Sequence, residues 1–191
     1  MSGISVEQKR WTVHDLEHVP YAEGKRYEII EGALFVSRQP HWHHQQTCLN
    51  IAQELNIWSH RTGLGQVSIA PGVLFGEEDD VAPDVVWVHH ERLTTLMDSA
   101  GHLTGPPDLV VEVLSPGHQN EERDRQTKLA LYSRRGVQEY WIADWRPQQV
   151  ELYRRDQDTL RYVATRYVTD TIDSPLLPGF ACPVKHFFKW S

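Results

Sequence analysis

The chain has 191 residues, 40% of them apolar and 10% aromatic, with two cysteines and a formal net charge of −7. That length and apolar content fit one domain spanning 1–191 with a sizeable core, and they exclude wholesale disorder, a disulfide framework and a uniformly basic nucleic-acid coat protein. No apolar run approaches the roughly 18 residues of a membrane span and no charged-then-apolar leader opens the chain, so a reducing, cytoplasmic compartment and no membrane partner are expected.

Residues 1–10 are polar and expected to be flexible. Thr12 and Asp15 have the spacing of a capping box in its acidic form and predict a short helix to about His18, ended by Pro20 and Gly24. Tyr27–Val36 predicts two short strands about Glu31-Gly32, where glycine supplies the turn. From His44 to His60 the apolar residues Cys48, Leu49, Ile51, Ala52, Leu55 and Trp58 recur at helical spacing, with Gly63 and Gly65 as stops.

Val67–Phe75 predicts two short strands around Pro71-Gly72. Residues 82–88 (APDVVWV) and 106–115 (PPDLVVEVLS) are β-branched, open on proline and are too short for ordinary helices, so both read as buried strands. A helix is predicted from Asn120 to Arg135, closed by Gly136, and a strand over Gln138–Asp144. Val150–Arg154 and Leu160–Val168 form a C-terminal hairpin pattern, and Leu176–Trp190 carries no clear period. Together these elements indicate mixed α and β structure around a sheet.

Glu112 breaks the pattern of its own strand. Side chains alternate, so Val110, Glu112 and Leu114 share one face of a segment that is apolar on both. An unpaired buried carboxylate is costly, and a metal ion, a basic partner or a solvent-filled cleft would each resolve the conflict. An edge position facing water is the plainer alternative. If the two P-D strands are antiparallel with Val86 opposite Val110, Asp84 lies opposite Glu112, about 4.5–5.5 Å away at Cβ. Two carboxylates that close favour a divalent cation between them. Asp84 also suits a turn or cap role, as Asp after Pro commonly does. In that register Asp108 falls at the far end and is excluded from the metal site.

On the following helix Lys128, Leu131, Tyr132 and Arg135 line one stripe, which would carry Lys128 toward the sheet. Lys128 could then hold a water or offset charge on a phosphate; equally, Asp124 four residues earlier could pair with it. Residues 118–135 hold five basic and three acidic side chains, and substrate contact is expected along that basic strip. The chain has 11 histidines, with His41, His43 and His44 clustered. They raise a histidine-rich metal protein as a rival reading, although capping and surface roles account for most of them. His44, opening the second helix, is placed to reach a neighbouring cleft.

The blocks YEIIEGAL, HQQTCLNI, APDVVWV, PDLVVEVLSPG, KLALY and GVQEYWIAD occur in an order that resembles the Uma-two family of the PD-(D/E)XK nuclease superfamily, over about Trp11 to Arg155. The resemblance implies a restriction-endonuclease-like core, a mixed central β-sheet flanked by helices, with the C-terminal β-hairpin as an extension. It further implies a Mg²⁺-dependent endonuclease, with Mn²⁺ as a substitute, acting on nucleic acid and specifically DNA. Asp84 and Glu112 match the motif acids and would be both catalytic and metal-binding. Leu114 stands where the motif lysine is expected, and Lys128 matches its migrated replacement. Glu28, Glu31 and His44 lie in matching blocks and would support the metal ligands from behind. Cutting both strands needs two sites, so a homodimer is expected. A catalytically weak or inactive nuclease-fold protein that binds nucleic acid or a protein partner is the alternative.

Overall fold

The structure, a computed structural model, describes residues 9–20 and 22–190. Most of the segment expected to be flexible, residues 1–8, lies outside the described residues. Lys9 and Arg10 are tied down by ion pairs to Asp15 and Glu78. The capping box forms: the backbone N–H and hydroxyl of Thr12 donate to Asp15 Oδ2 at 2.9 and 3.0 Å, opening α1 (Val13–Leu16).

Strands β1 (Lys25–Ile30) and β2 (Ala33–Arg38) make an antiparallel hairpin whose turn places Glu31 and Gly32 in the left-handed region, at φ 53° and 74°. Helix α2 (Trp42–Thr62) begins before the apolar repeat, because the His41 side chain accepts a bond from the His43 N–H and caps the first turn. Gly63 ends it with φ 70°.

Strands β3 (Gly65–Ile69) and β4 (Val73–Gly76) flank Pro71-Gly72, followed by β5 (Asp79–Val81) and β6 (Val85–His89). Helix α3 (His90–Leu96) leads towards β7 (Leu109–Val113). The helix expected over 120–135 is composite: α4 (His118–Glu122), a π-helical segment (Arg123–Lys128) and α5 (Leu129–Arg135), closed by Gly136 at φ 94°. After β8 (Glu139–Asp144) come the hairpin β9 (Gln149–Asp156) and β10 (Thr159–Tyr167), then β11 (Thr171–Asp173) and β12 (Ala181–Pro183).

The central six-stranded sheet has the order β10-β9-β8-β7-β6-β3 and is mixed, with β7 and β8 parallel and the other neighbours antiparallel. The hairpin β9–β10 therefore continues this sheet. The first hairpin instead joins a separate four-stranded sheet, β2-β1-β5-β4. On one face of the central sheet Val85, Trp87, Leu109, Val111 and Val113 pack against Ile51, Leu55 and Trp58 of α2 and the C-terminal Phe180, Phe187 and Phe188. On the other, Val86, Val110, Leu114 and Tyr140 meet Leu131 and Tyr132 of α5 and Ile30, Val73 and Val81 of the second sheet. Strand alternation thus splits β7 between two cores, and the aperiodic 176–190 segment becomes part of the first.

Candidate active site

Val85 to Trp87 pair with Val111 to Leu109 in an antiparallel ladder that includes Val86 opposite Val110. One step further along, Asp84 comes level with Glu112, and Asp84 Oδ2 accepts a bond from the Val113 N–H at 2.9 Å. Proline-led entry into the short strand β6 leaves Asp84 just outside the ladder, where its carboxylate replaces a backbone acceptor. Both acids are buried, and both line a cleft of about 700 Å³ between the β1–β2 hairpin, the start of α2 and the helix carrying Lys128.

Lys128 reaches this cleft from the π-helical segment. Its Nζ lies 2.9 Å from Glu112 Oε1 and 2.9 Å from Glu28 Oε1. Tyr132, one turn on, donates to the same Glu112 oxygen at 2.7 Å. Glu28, on the inward face of β1, also accepts from the Ala82 N–H at 3.1 Å, in the segment that leads from β5 to Asp84. The pairing of Lys128 with Asp124 that helical spacing allows is not the one formed. Asp124 is bonded instead by its neighbour Arg123, at 3.2 Å.

His44, on the first turn of α2, places Nε2 at 3.2 Å from Asp84 Oδ2 and Nδ1 at 3.6 Å from Cys48 Sγ. Burial alone would push the imidazole pKa down, but the hydrogen bond and charge of Asp84 outweigh it and leave it raised. Burial opposes ionisation of Asp84 too, and His44 and Lys128 reverse that, holding Asp84 well below the usual carboxylate range. Glu28 is likewise held low by Lys128 and Arg123 against its burial. Lys128 is pulled up by Glu112, Glu28 and Asp124 despite complete burial, so it is a fixed cation and not a base.

Glu112 differs. Burial, reinforced by Asp84, Asp124 and Glu28, pushes it up to about 8, because Lys128 is shared with Glu28 and cannot offset all four carboxylates. Glu28, Asp84, Glu112 and Asp124 are enclosed with two cations, Lys128 and Arg123, while Arg26 stands half-exposed at the mouth, 3.5 Å from Asp84 Oδ1. Both bonds to Glu112 end on Oε1, and among the described residues Oε2 receives none. Two carboxylates level with each other on neighbouring strands, with Glu112 Oε2 unbonded among the described residues, supply hard oxygens of the kind a hydrated divalent cation takes, and binding such an ion would favour ionised Glu112. His44, Cys48 and Asp84 also lie within ligand range of one another, but burial raises the Cys48 thiol well above its ordinary value, with Asp84 and Glu112 adding to the shift, which disfavours a thiolate ligand.

Of the six residues singled out in the sequence, Asp84, Glu112, Lys128, Glu28 and His44 line this cleft. Glu31 does not: it occupies the far turn of the first hairpin, largely exposed, and pairs with Arg134 at 2.7 Å. Asp108 lies at the other end of β7, where it accepts from the His89 N–H and pairs with Arg92. His41 and His43 do not join His44 in a metal cluster; their rings stack on Trp145 and Trp190, at 4.8 and 4.5 Å between centroids. Arg123 and the Tyr132 hydroxyl are the participants that sequence reasoning passes over, while Asp124, read as a possible partner of Lys128, pairs with Arg123. Of these, Tyr132 is signalled by its place in the Lys128 stripe.

The model of a family described as "Uma2: Putative restriction endonuclease" matches residues 13–185. A crystal structure described as a putative nuclease belonging to DUF820, from Anabaena variabilis ATCC 29413, has a TM-score of 0.72 at 18% identity and covers 93% of this chain and 97% of its own. That likeness shows the restriction-endonuclease-like fold. No curated protein matches the chain at a significant level.

Proposed function

The chain belongs to the Uma2 family, and from that premise we propose that it is a divalent-metal-dependent endonuclease that hydrolyses phosphodiester bonds in DNA. The observation that carries this reading is the contact of Lys128 with Glu112, level with Asp84, inside one cleft. Asp84 and Glu112 would hold the ion, and Mg²⁺ suits their oxygens, with Mn²⁺ able to replace it. When bound, it supplies Lewis-acid stabilisation of the phosphate and lowers the pKa of water.

The protein groups have separable tasks. His44 and the Val113 N–H fix Oδ2 of Asp84 while Arg26 approaches its Oδ1, and Lys128 and Tyr132 fix Oε1 of Glu112, so Glu112 Oε2 would be the oxygen most open to a ligand. Lys128 keeps its charge and stabilises negative charge developing on the phosphate. Glu28, on β1, holds Lys128 at 2.9 Å and so orients it within the cleft.

The test is cleavage of supercoiled plasmid and labelled oligonucleotides with Mg²⁺, Mn²⁺ or EDTA, comparing wild type with Asp84→Ala and Glu112→Ala. Metal-dependent cleavage lost in both variants supports the proposal. Cleavage surviving both substitutions overturns the site, and binding without cleavage under either metal makes this a nuclease-fold binding protein.

A further inference from the structure

The five basic residues of 118–135, expected to form the substrate-facing strip, are all engaged by carboxylates. Arg123 pairs with Asp124, Arg125 with Glu151, Lys128 with Glu28 and Glu112, Arg134 with Glu31 and Arg135 with Asp79. A cation already neutralised by an internal acid releases little on meeting a phosphate, so this helix is a poor backbone clamp.

The other wall of the same cleft is different. Lys25 and Arg38 are cross-strand partners at the open end of the β1–β2 hairpin, both exposed and both lining the cleft. Among the described residues neither forms an ion pair, although exposed Glu23 lines the outer rim beside them. Like charges directly opposite on a ladder destabilise a hairpin, so this pair carries a standing cost in the free protein that an anion would relieve. Arg26, next in β1 and on the alternate face, is itself paired with Asp84 at 3.5 Å and marks the way from the hairpin to the carboxylates. The closed end of the hairpin is anchored to α5 through Glu31 and Arg134, which holds the basic end at the cleft mouth.

We propose that Lys25 and Arg38 form a clamp for the phosphodiester backbone of a nucleic-acid strand, delivering it past Arg26 to the carboxylates. This rests on the nuclease reading and assigns its substrate-gripping surface to the first hairpin. It requires no metal, so it can be tested apart from catalysis.

The experiment is fluorescence anisotropy of a labelled DNA duplex in EDTA over a salt series. It compares wild type, Lys25→Gln/Arg38→Gln, and a control Lys9→Gln/Arg161→Gln, which removes the same charge from residues paired to Asp15 and Asp156. The clamp variant should bind about 10-fold or more weakly at 50 mM salt, with a log–log salt slope shallower by about 2, from roughly 0.9 per phosphate contact. The control should keep the wild-type slope. Lys25→Glu should weaken binding while raising Tm, since it turns a repulsive cross-strand pair into an attractive one; loss of both would mean a merely structural role and overturn the clamp. Wild-type affinity in the clamp variant overturns this inference but leaves the nuclease proposal standing. Failure of the wild type to bind in EDTA overturns the clamp, while the nuclease proposal is decided separately by the Mg²⁺ cleavage assay.

Discussion

Lys128 Nζ and Glu112 Oε1 are 2.9 Å apart, although the motif lysine would stand on the same strand as the acid and this one comes from the next helix. The same nitrogen contacts Glu28, so one cation holds two buried carboxylates. Lys128→Met would leave both without it. Breaking such a buried pair costs about 3–5 kcal/mol. Chemical denaturation should show that loss, and Mg²⁺-dependent cleavage should fall by at least about 100-fold, the scale seen when one charge-stabilising group is removed. Near-wild-type cleavage by a folded Lys128→Met would contradict the assigned role.

Glu112 sets a pH dependence in the metal-free protein. Its pKa is raised from 4.5 to about 8 by burial and by neighbouring carboxylates. A raised folded-state pKa means that its contribution to stability is fully present below about 4.5 and is lost as pH rises through about 8. Urea unfolding in EDTA should therefore show wild type losing stability between pH 5 and pH 8 relative to Glu112→Gln. By pH 8 the variant should be the more stable, by an amount on the order of a few kcal/mol. Parallel profiles for the two proteins would refute this.

Tyr132→Phe removes only the hydroxyl that donates to Glu112. The ring remains packed against Tyr140, at 5.1 Å between centroids. Stability should drop by about 1 kcal/mol, the net worth of one hydrogen bond. Cleavage should slow more than Tm changes, because Glu112 Oε1 would then be positioned by Lys128 alone. A Tm loss with unchanged cleavage would make Tyr132 structural only.

Asp84 holds the His44 imidazolium up against burial. In Asp84→Asn the charge is gone, so the His44 pKa should fall below its wild-type value. An NMR titration of the metal-free protein follows this directly. An unchanged pKa would mean that the 3.2 Å contact does not persist in solution.

Two glycines that both read as helix stops should separate. Gly63 has φ 70° and open space where a Cβ would stand, so Gly63→Ala should cost about 1 kcal/mol of backbone strain. A Cβ at Gly65 would collide with the Val88 carbonyl oxygen and with the Trp87 ring. Gly65→Ala must push β3 away from β6 and should be clearly the more destabilising of the two, a ranking that thermal melts decide.

Much of the site was legible because strand geometry is local. The period of two in β7 put Glu112 opposite in facing to Val111 and Val113, and two short P-D strands of similar length left few registers that bury both. The helical stripe likewise tied Lys128 to Leu131 and Tyr132, whose burial carried the lysine inward. The same local rules give no reason for the π-helical turn at Arg123–Lys128, which nothing in the residue pattern marks.

Which charges meet was decided only by the tertiary structure. Glu28 and Glu31 stand three residues apart in one hairpin, yet one faces Lys128 and the other lies on an exposed turn. Lys128 takes partners on two different sheets in place of the Asp124 that helical spacing offered. The net −7 and the local basic run of 118–135 are equally one-dimensional quantities. Charge acts through distances between atoms far apart in sequence, so packing determined that the helix cations are paired and that, among the described residues, Lys25 and Arg38 of the first hairpin form no ion pair. The amino-acid pattern determined which faces are buried; the assembly of two sheets around one cleft decided which buried charges share it.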